Sequence, residues 1–414
     1  MRILHVNKFL YRRGGAEAYM MDLALLQRER GHEVEYFGMQ YPENEPHRFE
    51  ELFPSRVDFD PPPTSLRGRV SGAGRLLWSP SAARGMQAVL EAFQPELVHL
   101  HNIYHQLSPS VLRPIGAASI PAVMTLHDYK LACPTYRFLD HGKICEACLP
   151  HRFWSPLVRR CNGGSLSASA LNGLDMTVHT AAGLYDPVHR FACPSRFLEK
   201  KMREGHVYPG RLRWIPNFVD VDAIRPKGTP GGGVVCAGRL SDEKGVDILI
   251  RAAAGRPRLH IDIAGEGPAR EELGRLASTM GVAERVRFHG RLPTGELQQL
   301  LRSASVMALP SRWYENMPLA VLEAFATGLP VVASDLGGLP ELIERDVDGE
   351  VVPAEDPDAL GDALDSLVGD PDRAFSMGRA GRAKAEISFG PGPHLERLDA
   401  IYGEAIASAA NNKR

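Results

Sequence analysis

The sequence predicts an α/β protein made of two doubly wound, parallel-sheet domains that face each other across a cleft. Three observations carry this. The chain opens as strand, glycine turn, amphipathic helix and second strand; from Gly231 short apolar runs alternate regularly with helical runs; and a turn-rich stretch near 217–230 separates the two patterns.

Taken in order, RILHV (2–6) reads as a buried strand. Gly14 and Gly15 open the amphipathic run AEAYMMDLALLQRER, which stops at Gly31, and EVEYFG follows as the next strand. Residues 40–80, rich in Pro, Arg and Gly with Pro61-Pro62-Pro63 at their centre, read as an irregular excursion or flap. ELVHLHN (96–102) and PAVMTLHD (121–128) are strand-like runs ending in polar residues, where a parallel sheet presents its carboxyl edge. In the second half VVCAG, LHIDIAG, RVRFHG, SVMALP and PVVAS read as strands. KGVDILIRAAAG, PAREELGRLASTMG, TGELQQLLRSA and MPLAVLEAFATG read as the helices between them. The expected division is 1–216, 217–384, and a closing helical segment, 385–414, that packs back on the first domain.

The 414 residues, 44% hydrophobic and 24% charged, suffice for two or three cores. A net charge of −2 gives no reason to expect nucleic acid as the partner. The halves differ: residues 1–215 hold 26 basic and 20 acidic side chains, residues 216–414 hold 22 and 30. A basic first half suits a phosphate-bearing acceptor or peripheral contact with anionic lipid, and it also suits ordinary surface charge. MRILHVNKF is too short and polar for a secretory signal, and no run approaches about 18 apolar residues, so a cytoplasmic protein, at most peripheral at the inner membrane surface, is expected.

The densest chemical signal is PSRWYENMPLAVLEAF (310–325). Pro318 suits a first helical turn, which leaves Glu315 in the loop before the helix and Glu323 inside it. A carboxylate accepts hydrogen bonds from two sugar hydroxyls. The second signal is GRLSDEKG (238–245), where Arg239 and Lys244 flank a glycine-bearing turn after a strand. A departing nucleoside diphosphate gains charge in the transition state, which fixed cations there stabilise. Gly14-Gly15-Ala16-Glu17 offers bare backbone amides at a helix entry but lacks the G-x-G-x-x-G spacing, which disfavours a dinucleotide-binding dehydrogenase.

The segment from Glu315 to Glu323 resembles the E-x7-E signature of glycosyltransferase family 4, retaining enzymes of GT-B fold with two Rossmann-like domains. The resemblance spans nearly the whole chain. It implies that Glu315 binds hydroxyls of the donor hexose, that Glu323 binds the ribose, and that Arg239 and Lys244 hold the donor pyrophosphate without an obligatory divalent cation. It further implies that Gly14, Gly15 and Glu17 face donor and acceptor, and that His127 and Asp128 lie near the donor sugar, with His127 positioning and polarising it. Gly238 belongs to the donor-binding turn of Arg239 and Lys244, and Gly265, Gly267 and Arg291 sit in loops similar to those lining the nucleobase pocket. Where family members often carry glycines, this chain has Asn316, Met317 and Pro318, so backbone contacts there and at Leu319 differ, with Asn316 available to the sugar.

Cys133, Cys145, Cys148 and Cys161 occur as C-x11-C-x2-C-x12-C, and the central pair has the knuckle spacing of a structural zinc site. Four reduced thiols and an iron–sulfur cluster are the other readings. The pattern is similar to that of a family 4 subset with a cysteine-rich loop in the N-terminal domain. The expected activity is α-glycosyl transfer from a nucleotide sugar, UDP ahead of GDP, to a saccharide, lipid-linked or small-molecule acceptor. A nucleotide-sugar epimerase and a non-catalytic sugar-nucleotide-binding protein remain as alternatives.

Overall fold

The computed structural model describes residues 1–57, 72 and 74–412; Pro61-Pro62-Pro63 of the expected excursion lie outside them. In the first half the strands are β1 (Arg2–Val6), β2 (Glu33–Phe37), β3 (Leu97–Leu100), β4 (Ala122–Thr125), the hairpin β5 (Leu139–Asp140) and β6 (Lys143–Ile144), then β7 (Arg190–Cys193) and β8 (Leu212–Trp214). The helices are α1 (Gly15–Glu29), α2 (Pro80–Phe93), α3 (Leu112–Ala117), α4 (Ser155–Arg159), α5 (Leu166–Ala181) and α6 (Arg196–Glu204). Six strands form a parallel sheet in the order β2-β1-β3-β4-β7-β8.

The second half contributes β9 (Val234–Ala237), β10 (Ile261–Ala264), β11 (Val286–Gly290), β12 (Val306–Leu309), β13 (Val331–Ser334) and β14 (Gly349–Val352). Between and after them lie α7 (Val246–Ala252), α8 (Arg270–Thr279), α9 (Thr294–Ser303), α10 (Leu319–Thr327), α11 (Leu339–Leu342), α12 (Pro357–Gly369), α13 (Pro371–Ser388) and α14 (Pro391–Asn412). Their parallel sheet runs β11-β10-β9-β12-β13-β14, the strand order of dinucleotide-binding Rossmann folds. β3, β4, β12 and β13 are buried at every residue, as strands covered by helices on both faces must be.

In each sheet the chain reverses its winding direction beside the first strand of that domain, so a crevice opens beyond the carboxyl ends of β1 and β3 in one and of β9 and β12 in the other. The loops after those strands carry the residues singled out above. The closing segment crosses between domains: α13 packs against α10, whereas α14 buries Leu395, Leu398, Ile401 and Tyr402 in the core of the first domain. Glu404 of α14 pairs there with Arg190 of β7 at 2.7 Å.

Candidate active site

The loop after β9 and the loop after β12 are locked together. Arg312 accepts no choice of rotamer: its guanidinium forks onto Asp247 at 2.9 and 3.0 Å, and its backbone N–H donates to the Glu243 carbonyl at 3.0 Å. Gly245, at φ +65°, sits where a Cβ would lie 2.0 Å from the Pro310 carbonyl, so only glycine lets the two loops approach. This brings Lys244 Nζ to 2.7 Å from Glu315 Oε1, which also accepts from the Ser311 hydroxyl at 2.7 Å. Glu315 is buried. Burial alone pushes its carboxyl up, but the Lys244 ammonium and the hydrogen bonds outweigh that and hold it below the ordinary carboxylate range. Arg239 stands exposed in the same loop, with no ion pair or hydrogen bond among the described residues.

Glycines elsewhere in the site serve close backbone packing. A Cβ on Gly265 would lie 1.8 Å from the Gly238 carbonyl, and one on Gly267 2.1 Å from the Leu240 carbonyl. The run DLGGLPEL (335–342) holds a further pair of glycines, with no role assigned from the sequence. Gly337 and Gly338 clasp the backbone of Glu315 and Asn316, where added Cβ atoms would lie 2.2 and 1.9 Å from those carbonyl oxygens. Gly338 N–H also donates to the Glu315 carbonyl at 2.7 Å.

In the rest of the 315–323 segment Asn316, Leu319 and Glu323 meet the first domain, while Met317, Val321 and Leu322 pack in the core of the second. Pro318 is the cap residue, and the helix begins one position later, at Leu319. Asn316 bridges the domains: its Nδ2 donates to the Leu126 carbonyl at 3.0 Å, and its Oδ1 accepts from Ser195 Oγ at 2.8 Å. Met317 is buried against Asn217 of the interdomain stretch. Leu319 lies 3.8 Å from the position of a Cβ on Gly15, while Gly14 precedes α1 as its cap residue. Glu17 is buried and accepts from Asn7 at 3.3 Å. Arg291 donates to the Arg12 carbonyl at 3.2 Å, another bond across the cleft. Glu323 is pushed up to about 7, first by burial and then by the Asp22 carboxylate of α1 opposite. Asp128 is pushed up to about 6 by burial, with the nearby Lys8 and Lys130 charges opposing the shift.

His127 ends a buried hydrogen-bonded chain. His5 on β1, His99 and His101 on and after β3, and Thr125 and His127 on and after β4 occupy alternate positions of adjacent strands, so they share one face of the sheet. Over them lie Tyr19 and Gln27 of α1 and His394 and Tyr402 of α14. His127 Nε2 meets His101 Nδ1 at 3.0 Å, His101 Nε2 meets His5 Nδ1 at 3.0 Å, and His5 Nε2 meets Gln27 Oε1 at 2.7 Å. Gln27 Nε2 donates to Tyr402 OH at 2.9 Å, which meets His99 Nδ1 at 2.7 Å, and His99 Nε2 meets Thr125 Oγ1 at 2.8 Å. Tyr19, hydrogen-bonded by Thr125, meets His394 Nε2 at 3.0 Å, and His394 Nδ1 reaches the Pro216 carbonyl at 2.8 Å.

A carbonyl only accepts, so His394 carries its proton on Nδ1. Assigning each following partner in turn places the protons of His99, His5, His101 and His127 on Nε2. Burial holds His5 and His394 at about 4 and His127 at about 3, so the rings are neutral at pH 7, as the chain requires.

The cysteines lie in the segment between β4 and α5, which also reaches the second domain through Tyr314, whose OH donates to Glu146 at 2.8 Å. Cys133 and Cys148 are buried, Cys145 and Cys161 partly so, and none is in a disulfide. Burial, then the other three thiols, raises Cys148, and burial, then Cys133, the Asp140 carboxylate and Cys145, pushes Cys161 up to about 11. Among the described residues, the one group of three or more His, Cys, Asp or Glu with ligand atoms all within 4.8 Å of each other is His5, His99 and His101. The four thiols thus share a neighbourhood without being drawn to tetrahedral spacing, and the histidine nitrogens are committed to the chain just described.

The profile described as Glycosyltransferase Family 4 matches residues 13–223, and that described as Glycosyl transferases group 1 matches 225–384. The chain belongs to glycosyltransferase family 4. It is similar to the GDP-mannose-dependent alpha-(1-6)-phosphatidylinositol monomannoside mannosyltransferase of Mycolicibacterium smegmatis, 30% identical over 73% of this chain and 90% of that one. It is 33% identical to D-inositol 3-phosphate glycosyltransferase 1 of Catenulispora acidiphila over 48% of this chain and 53% of that one. Among solved structures, sucrose-phosphate synthase from Thermosynechococcus elongatus superposes with a TM-score of 0.73 at 19% identity, covering 99% and 100% of the two chains. Anabaena HepE in complex with UDP superposes with a TM-score of 0.67 at 20% identity, covering 97% and 100%. These confirm the GT-B fold, and the family 4 chain is a glycosyltransferase.

Proposed function

We propose that this glycosyltransferase moves a hexosyl unit from a nucleoside diphosphate sugar to a hydroxyl of a saccharide, inositol-type or lipid-linked acceptor, with retention and hence an α-linkage. The observation that carries the reading is the Lys244–Glu315 pair at the reversal point of the second sheet, a cation and a hydroxyl acceptor 2.7 Å apart where that fold places a ligand. Lys244 and the exposed Arg239 meet the donor diphosphate, and Glu315 the sugar hydroxyls. Glu323 takes the ribose, and His127 orients the sugar from the opposite wall.

As the bond from the anomeric carbon to the phosphate oxygen breaks, the acceptor oxygen bonds to that carbon on the same face. Its proton passes to the departing phosphate oxygen, whose growing charge Arg239 and Lys244 stabilise. No divalent cation is assigned to this step. A UDP-sugar is the donor expected ahead of a GDP-sugar. The GDP-mannose dependence in the name of the Mycolicibacterium smegmatis relative makes GDP-mannose the first donor to assay beside it.

The test is release of nucleoside diphosphate from a panel of GDP- and UDP-sugars, with the anomeric configuration of the product read by NMR and with Mg²⁺ or Mn²⁺ added in parallel. Release from one donor, an α-linked product and indifference to the added cation are expected. A β-linked product or silence with every donor overturns the reading.

A further inference from the structure

The solvent face of α5 carries no charge along its 16 residues. Its two titratable side chains, Asp175 and His179, are buried, and Asp175 pairs inward with Lys130 at 2.8 Å. Beside Ser167, Thr177 and Thr180, α5 shows to solvent an apolar stripe spaced at multiples of four residues, Leu166, Leu174 and Val178, with Leu174 50% exposed. α4 lies alongside, packed where a Cβ on Gly173 would meet the Phe153 carbonyl at 2.3 Å. It adds Trp154, Leu157 and Val158, with Trp154 64% and Val158 70% exposed. Soluble surfaces seldom leave such side chains contiguous and uncovered.

Charge at the rim narrows the occupant. Residues 141–182 contain two acids, Glu146 and Asp175, and both are paired internally, Glu146 with Lys201 at 2.8 Å. The cations Arg152, Arg159 and Arg160 all face solvent beside Trp154, Leu157 and Val158. Arg159 reaches back to Asp140 at 3.0 Å, which leaves Arg152 and Arg160 for an external anion. A second copy of this chain would set the same arginines against each other across a two-fold axis, with no acid on the patch to answer them. A face of Leu, Val and Trp offers few hydrogen-bonding groups to register a specific protein. An apolar face with an arginine rim and a tryptophan at its edge is the pattern of side chains that seat in the headgroup boundary of an anionic bilayer.

We propose that α4 and α5 form a docking surface for anionic membrane, with Trp154, Leu157, Leu174 and Val178 entering the acyl boundary and Arg152 and Arg160 meeting lipid phosphates. The same segment reaches the Glu315 loop through the Glu146–Tyr314 bond, so docking holds the cleft close to the lipid surface. The proposal stands independently of the donor assignment, because binding is measured without turnover.

The test is flotation of the full chain with phosphatidylcholine vesicles, with and without phosphatidylglycerol. Flotation confined to the anionic vesicles, and weakening as salt rises, is expected. Arg152→Ala and Arg160→Ala should each cost about fivefold in partitioning. Leu174→Glu with Val178→Glu should abolish it while circular dichroism and donor hydrolysis stay as in wild type. Should that double variant misfold, loss of a blue-shifted Trp154 signal, taken as the difference between wild type and Trp154→Phe on vesicles, decides instead. No flotation, equal flotation on uncharged vesicles, an unchanged double variant, or a dimer that Leu174→Glu dissolves would each overturn the proposal.

Discussion

At the scale of single residues, four side chains make three separable demands. In the proposed mechanism, replacing Lys244 or Arg239 by Ala removes a cation aimed at charge that appears only in the transition state, so turnover should fall about a hundredfold or more with donor binding less affected. Steady-state kinetics with the active donor check this, and near wild-type turnover in either variant would remove that role. Glu323 is the opposite case, a carboxyl that the fold disfavours when ionised. Its folded value of about 7 lies above the ordinary 4.5, so the folded protein keeps a proton that the unfolded chain releases. Stability therefore falls as pH rises from about 4.5 to 7 and is level beyond, at a cost of up to about 3 kcal/mol. Glu323→Gln should raise the melting temperature at pH 8, change it little at pH 5, and weaken donor binding at both. A stability difference independent of pH would refute this account. His127 makes a spectroscopic demand: histidine nitrogen shifts should report a neutral Nε2–H ring at pH 7, and Gln27→Leu should release a mixture of tautomers. An Nδ1–H ring in the wild type would contradict the assigned chain.

At the scale of elements, the catalytic loops were legible because each follows a short apolar run that can only be a buried parallel strand, and because Gly238, Gly245 and Gly328 punctuate the turns. Glu315 before a helix and Glu323 within it could be placed to one residue, since proline and the apolar spacing mark where α10 begins. β7, β8 and β14 escaped notice: at three or four residues, with Arg or Glu among them, they show no periodicity to read. The histidine chain left a signal that went unused, the alternation of His99 with His101 and of Thr125 with His127 on neighbouring strands. Its partners on α14 lie about three hundred residues away, where spacing says nothing. The cysteine segment is the element whose state is decided by measurement. A bound cation would relieve the burial and crowding that oppose ionisation of Cys148 and Cys161, so we expect about one zinc per chain in purified protein and its loss in Cys145→Ser. Fully stable protein without metal, showing reactive thiols, would leave four reduced cysteines as the answer.

At the scale of the molecule, the two domains meet through bonds that involve few residues and bear directly on the site. Asn316 spans from Leu126 to Ser195, Arg291 reaches Arg12, and Glu341 accepts the first two N–H groups of α6, from Arg196 at 2.8 Å and from Phe197 at 2.5 Å. Glu341 sits at a helix N-terminus, where a carboxylate is favoured by the helix dipole, and it belongs to the domain opposite that helix. The chain crosses between domains twice at one place, where Val219 N–H donates to the Phe389 carbonyl at 2.9 Å and His394 reaches Pro216. Two crossings side by side allow rotation about that line while resisting separation, so the closed cleft rests on the latches opposite the hinge. Removing one latch that has no assigned contact with donor isolates this effect. Glu341→Ala should raise the radius of gyration in X-ray scattering without donor, and saturating donor should restore the compact value, since donor binds both walls. Donor KM should rise several-fold with kcat nearly unchanged, because the variant must spend binding energy on closure but loses no group at the reacting carbon. An unchanged radius together with an unchanged KM would mean that buried contacts along the crossing, and not the latches, set the angle between the domains.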